Sequence, residues 1–283
     1  MFFSEERCFI SAGVALLGLV GAAHLATAGT IYSDSLAENS NSTGTQLAGQ
    51  TVQSSATYAG GTQGAAWGTN TSVVLESGIA RTPYSSSGGS QIYLPFSAQS
   101  GYIYTLTITL NDISGNKTGK GWAGVGFAAS DASYNNNFGK VNEATAFVTV
   151  RTSGSTAGTS GEPAFYPGQN SASPFSGGVS FGTSTDNGQQ TVQITLNTVG
   201  LNTAQSPWTA QATLLSGSDS SSSVVDLPAG TSINYVGFGN SFDQSDFSNF
   251  SLSAVSQPSV PEPAPFALMA LAGIGLTLLR RRA

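Results

Sequence analysis

Strict alternation of apolar and hydroxyl-bearing residues constrains this chain more than any other feature. In "YIYTLTITLND", Tyr104, Leu106, Ile108 and Leu110 share one face, while Thr105, Thr107 and Thr109 share the other. Successive side chains of a strand point to opposite sides, so period two means one buried face and one wetted face. "QTVQITLNT" sets Val192, Ile194 and Leu196 against Gln193, Thr195 and Asn197. "PWTAQATLLS" aligns Trp208, Ala210, Ala212 and Leu214, and "NFSLSAV" aligns Phe250, Leu252 and Ala254. "AFVTVRT", from Ala146, is evenly apolar and reads as a central strand. Turn signals separate these runs: "NDISGNKTG", "DNG", "SGSDSSS" and "LPAG". The body is therefore expected to be all-β, with about ten to twelve strands in a two-sheet antiparallel sandwich of jelly-roll or lectin-like type. The Ser-, Thr-, Gly- and Gln-rich stretch 33–70 is expected to be loosely ordered or to add an edge strand.

The two ends break this pattern. Arg7 is followed by the apolar run "FISAGVALLGLVGAA", and Ala26 and Ala28 form a small-x-small cleavage pattern that leaves Gly29 as the first mature residue. At the other end, Phe266 to Leu279 carry no charge and Arg280, Arg281 and Arg282 follow. As a helix that run rises about 21 Å, against a hydrocarbon core of about 30 Å. The expected division is a signal peptide over 1–28, a sandwich over 29–258 and a sorting tail over 259–283. A signal helix and a hydrophobic helix would then flank the sandwich.

Composition excludes several kinds of chemistry. The single cysteine, Cys8, and the single histidine, His24, lie in the leader, so the body has neither. That removes disulfides, Ser-His-Asp and Cys-His catalysis, and ordinary zinc sites. Of the 15 acidic residues, Glu5, Glu6 and Glu262 lie in the termini; Arg7 and the three terminal arginines are four of the 9 basic ones. The body keeps 12 acidic and 5 basic residues, a net of −7 with no basic patch, so nucleic acid is not an expected partner.

Val260-Pro261-Glu262-Pro263, a short apolar segment and a terminal arginine cluster resemble the PEP-CTERM sorting signal of Gram-negative bacteria. The resemblance implies recognition by an exosortase, transient membrane insertion through the tail, its removal, and delivery to the cell surface or to a biofilm's exopolysaccharide matrix. "GWAGVGFAAS" and "INYVGFGNS" resemble the β-sandwich domains that often precede this signal. "GWAGVGF" also resembles the DOMON sandwiches, whose haem is held by Met and His. The body contains neither residue, which excludes haem.

The loop "SDASYNNNFGK" gathers Asp131, Tyr134, Asn135, Asn136 and Asn137. Amides and a carboxylate beside a ring suit a sugar, oxygen ligands suit calcium, and an Asx-rich turn needs no ligand at all. Asp243 and Asp246, three apart, are a second calcium candidate or part of a turn before the last strand. Trp67, in "GTQGAAWGTN", is expected to be the exposed tryptophan and a stacking platform; Trp122 and Trp208 are expected in the core. Gly124-Val125-Gly126 and Gly237-Phe238-Gly239 open no helix, and they read as tight packing within strands rather than nucleotide loops. The expected protein is a non-enzymatic surface or matrix protein without a cofactor, calcium apart. The alternatives are a carbohydrate-binding module or lectin and a carboxylate-based polysaccharide hydrolase or lyase.

Overall fold

The computed structural model of the chain describes residues 28–37, 44–83, 89–113, 122–129, 144–150, 164–167, 179–180, 189–215, 220–241 and 244–257. Its strands, in chain order, are β1 Ala28–Asp34, β2 Thr45–Gln46, β3 Ser54–Ser55, β4 Gly68–Thr69, β5 Val74–Glu76, β6 Ile79–Arg81, β7 Gly89–Pro95, β8 Tyr102–Ile113 and β9 Trp122–Ala128. β10 Ala144–Val150, β11 Ala164–Pro167, β12 Val179–Ser180, β13 Gln190–Asn197, β14 Thr209–Leu214, β15 Ser220–Ser221, β16 Val225–Asp226, β17 Tyr235–Ser241 and β18 Gln244–Ser256 follow. Twelve of the eighteen have three residues or more, against the ten to twelve that alternation suggests; the other six are two-residue pairings too short to show a period. A single 3-10 turn, Tyr58–Gly60, is the only helix among the described residues.

The strands build two antiparallel sheets. One has eleven strands, with β15-β14-β13-β8-β18-β6-β5-β2 as its main path; the other runs β12-β11-β10-β9-β17-β7-β4. β8 and β13 pair without a break from Gln190↔Leu110 to Asn197↔Ile103, which puts all their apolar residues on one side. Tyr104, Leu106, Ile108, Val192, Ile194, Leu196 and Leu252 there meet Ile92, Val125, Phe127, Val148 and Phe238 of the second sheet, all fully buried. Each such side chain contributes roughly 1.5–3 kcal/mol by leaving water. β10 is the central strand expected from its even hydrophobicity, with β9 on one side and β11 on the other. Burial pushes the Tyr104 phenol up to about 12, against a hydrogen bond with the Gln99 backbone that lowers it. Its hydroxyl lies 3.1 Å from the Ala59 carbonyl.

The outer edge of β18 is shared. Asp246 and Phe247 pair with β6, whereas Phe250 to Val255 pair with β1. The handover falls at a register shift between Ser248 and Ser251, where Asn249 takes a left-handed φ of 55°. Asn249 is a residue type that tolerates this region, and its amide donates to the Ser35 carbonyl.

One expectation is met in its second form and one needs correction. The described part of 33–70 is not loose; it adds edge strands, and several rather than one: β2 and β4 each end a sheet and β3 pairs only with β1, alongside the 3-10 turn and a Thr51↔Ala66 bridge. Trp67 is not an exposed platform. It is 1% exposed, and its indole Nε1–H donates to Asp34 Oδ2 at 2.8 Å. Phe238 and Phe250 meet it edge-on at 5.4 and 5.0 Å. Its partner lies 33 residues upstream: a buried carboxylate in β1 needs donors, and the indole N–H supplies one while the Leu36 amide supplies the other.

Candidate functional site

The Asp131–Tyr134–Asn135–Asn136–Asn137 loop lies outside the described residues, as do Ala26, the Pro261-Glu262-Pro263 motif, the apolar tail and Arg280 to Arg282. Ala28 opens β1, opposite Val255. Among the described residues no helix is long and apolar enough to cross a membrane, and no group of three His, Cys, Asp or Glu could hold a metal ion.

Asp246 does not sit in a turn. Within β18, its two carboxylate oxygens accept from Arg81 Nε at 2.8 Å and Nη2 at 3.0 Å. Arg81 Nη1 donates to Glu76 at 3.0 Å, beside a groove of about 250 Å³. Hydrogen bonding with Asp246 raises the guanidinium pKa further, and Arg81 is the only cation among the described residues. It is committed to two carboxylates, which makes Asp246 half of an ion pair; Asp243, the other member of the candidate calcium pair, lies outside the described residues.

The arrangement that sequence reading missed is the outer face of the seven-stranded sheet. β9 is buried on both sides over its whole length, so a second apolar layer must exist beyond the sandwich core. That layer is Trp122, Ala128 and Phe147, with half-buried Tyr93 and Tyr235 packed against it. Strand register orders this face into rows. One row reads Gly68 (β4), Tyr93 (β7), Gly237 (β17), Gly126 (β9), Phe147 (β10) and Tyr166 (β11). The next reads Gln91, Gly239, Gly124, Thr149 and Ala164.

The five glycines in those rows have a steric reason, Gly68 because its Cβ would fall 2.4 Å from the Tyr93 ring. A Cβ on Gly124 or Gly126 would fall 2.5–2.6 Å from the Phe147 ring, so that ring lies across β9. A Cβ on Gly237 would fall 2.0 Å from the Ile92 carbonyl oxygen, and one on Gly239 2.3 Å from that of Ser90. The strands close together here because no side chain separates them, as the two Gly-x-Gly phrases suggest. Tyr93 meets Tyr235 edge-on at 5.5 Å, and Trp122 meets Phe147 at 5.8 Å.

The seven strands contain no Asp, Glu, Lys or Arg. What reaches the surface of this layer among the described residues is the half-buried pair Tyr93 and Tyr235, while its glycines, Gln91 and Thr149 are buried. Two such rings can stack against a neutral ring and bond it through their hydroxyls. The clue available in sequence was the glycine spacing: Gly124/Gly126 and Gly237/Gly239 repeat with the strand period and so mark one face.

No family model matches the chain, and no curated protein does. Among solved structures, it is similar to the carbohydrate recognition domain of Emp47p, at 14% identity and a TM-score of 0.44 over 80% of this chain and 99% of that one. An endo-1,3-beta-glucanase from Streptomyces sioyaensis is 12% identical, with a TM-score of 0.48 over 81% and 97%. The alginate lyase Aly36B is 13% identical, with a TM-score of 0.45 over the same shares. The likeness is one of fold, and the sandwich stands on its own two sheets.

Proposed function

We propose that the chain is an exported, non-enzymatic protein of the cell surface or exopolysaccharide matrix, and that its sandwich binds polysaccharide through the outer face of the seven-stranded sheet. The observation that carries the binding reading is the half-buried Tyr93–Tyr235 pair at the margin of the apolar outer layer. The part of a tyrosine ring left open to solvent takes the C–H side of a sugar, and its hydroxyl can bond the sugar's own.

Affinity electrophoresis of the full chain in detergent, in gels cast with different polysaccharides, tests this. The wild type should be retarded by at least one of them. Tyr93→Ala and Tyr235→Ala should each reduce retardation about tenfold or more, on the scale of a lost stacking contact. Unretarded wild-type protein would refute the reading. Enzymatic release of reducing or unsaturated ends would restore the hydrolase or lyase alternative.

Sorting is proposed from the terminal segments alone. The apolar run after Pro263 is short for a permanent span, and the arginines hold its end at the cytoplasmic face. Protein recovered from the native host's surface should therefore end near Pro261-Glu262-Pro263. An intact mass that includes Ala283 would instead make the tail a retained membrane anchor.

A further inference from the structure

The β5–β6 hairpin turns through Ser77 and Gly78, both in the left-handed region with φ of 51° and 87°. That turn sets the register at Val74↔Arg81 and Glu76↔Ile79, and Arg81 pairs in turn with Asp246 of β18. Leu75, Ala80 and Phe247 face the core, so Val74, Glu76, Arg81 and Asp246 share the outer side of the eleven-stranded sheet. The groove of about 250 Å³ opens there, and Ser72, Val74, Glu76, Arg81, Pro83 and Gln244 are among the residues that line it. It is open to solvent: the Arg81 and Glu76 side chains are 33% and 42% exposed, whereas Asp246, which fixes the guanidinium, is 8% exposed. A guanidinium carries five N–H groups. Three go to Asp246 and Glu76, which leaves one on Nη1 and one on Nη2 without a partner among the described residues. Glu76 Oε1, the Gln244 amide and the Ser72 hydroxyl have none there either. Asp246 already pairs the cation through both oxygens, and a second, exposed carboxylate adds little stability. What Glu76 does add is an open acceptor beside two open donors.

We propose that this groove is a second glycan site, which holds a neutral sugar residue by two adjacent ring hydroxyls between Glu76 and Arg81. A hydroxyl both donates and accepts, so one gives its proton to Glu76 Oε1 while its neighbour accepts from Arg81. Both bonds are charge-assisted, and Val74 and Pro83 offer an apolar wall to the C–H side of the ring. The groups in the groove choose the ligand. A neutral sugar leaves the ion pairs intact, whereas a ligand carboxylate at Arg81 would meet Glu76 and Asp246 as well, two negative charges against one positive. Lys117 and Lys120, between β8 and β9, lie outside the described residues, and the anionic probe below reads their contribution. The site belongs to the other sheet from Tyr93 and Tyr235 and does not rest on the binding face proposed above.

Saturation-transfer NMR on the full chain in detergent tests this, with the methyl glycosides of glucose, mannose and galactose as neutral probes and glucuronate as the anionic one. At least one neutral glycoside should receive saturation, and glucuronate should receive less. Glu76→Gln separates recognition from structure. The amide turns its carbonyl toward Arg81 and puts a donor where the open acceptor was. The variant should keep the wild-type thermal midpoint, because the pair is exposed, and lose about tenfold in affinity for the glycoside. Tyr93→Ala should leave the glycoside signal intact. No transfer to any neutral glycoside, or equal transfer in Glu76→Gln, would overturn the proposal. Salt-sensitive transfer that favours glucuronate would overturn the ligand class, and loss of the signal in Tyr93→Ala would move the sugar to the other sheet. A lower midpoint in Glu76→Gln would assign the residue to the fold. Polysaccharide retardation lost while the glycoside signal persists would sink only the Tyr93–Tyr235 reading.

Discussion

Trp67→Ala is expected to cost about 4 kcal/mol, within the range for deleting a fully buried aromatic side chain. Two losses combine. The cavity opens against Phe238 and Phe250, which lean on the indole from opposite sheets. The Asp34 Oδ2 carboxylate oxygen also loses its only donor among the described contacts, while Oδ1 keeps the Leu36 amide. Domains of this kind are stable by about 5–15 kcal/mol, so the variant should stand near the edge of unfolding. Urea titration followed by far-ultraviolet circular dichroism would measure it, since tryptophan fluorescence changes with the mutation itself. Trp67→Phe keeps most of the volume and removes the N–H. It should cost about 1.5–3 kcal/mol, the range for a hydrogen bond to a charged group. A Trp67→Ala midpoint within error of the wild type would return Trp67 to the surface.

That tryptophan shows where the sequence stops being legible. β8, β13, β14 and β18 announce themselves because each is half-buried, and period two records that directly. β10 was legible for the opposite reason: buried on both sides, it carries an evenly apolar run. Trp67 gives no such signal. Its neighbours are Gly, Ala, Thr and Asn, residues of turns, and its burial is decided by a carboxylate in another strand. Local composition cannot report a partner so far away.

The candidate face was hidden in the same way. Tyr93 and Phe147 are unremarkable in their own segments, "GSQIYLP" and "ATAFVTV". They fall into one row only once β7, β17, β9 and β10 are known to be neighbours in that order. Antiparallel alternation gives the face on which a side chain lies, but it does not give strand order. The Asp131 loop, by contrast, was conspicuous by composition, and it lies outside the described residues.

Gly237→Ala should be the most damaging small substitution in the second sheet, at about 3 kcal/mol or more, the top of the range for overpacking a close-packed interior. Its φ is not in the left-handed region, so conformational preference is not the reason. The added methyl would sit 2.0 Å from the Ile92 carbonyl oxygen and 2.9 Å from the Tyr93 Cα. Both are backbone atoms of β7, tied to β17 by a register that runs from Tyr235↔Pro95 to Ser241↔Gly89. Relief therefore requires the two strands to part, which would break ladder hydrogen bonds and shift Tyr93 away from Tyr235. Gly230→Ala is the matched control. Its φ of 74° disfavours a side chain, but nothing lies within 4 Å of the new methyl. It should cost only about 1–2 kcal/mol, the price of a left-handed φ in an L-residue. Equal losses for the two, read as urea midpoints, would mean that β7 and β17 are not closed together at Gly237. The same comparison bears on binding: Gly230→Ala should leave polysaccharide retardation untouched, whereas Gly237→Ala, which pushes Tyr93 away from Tyr235, should abolish it even in the fraction that folds.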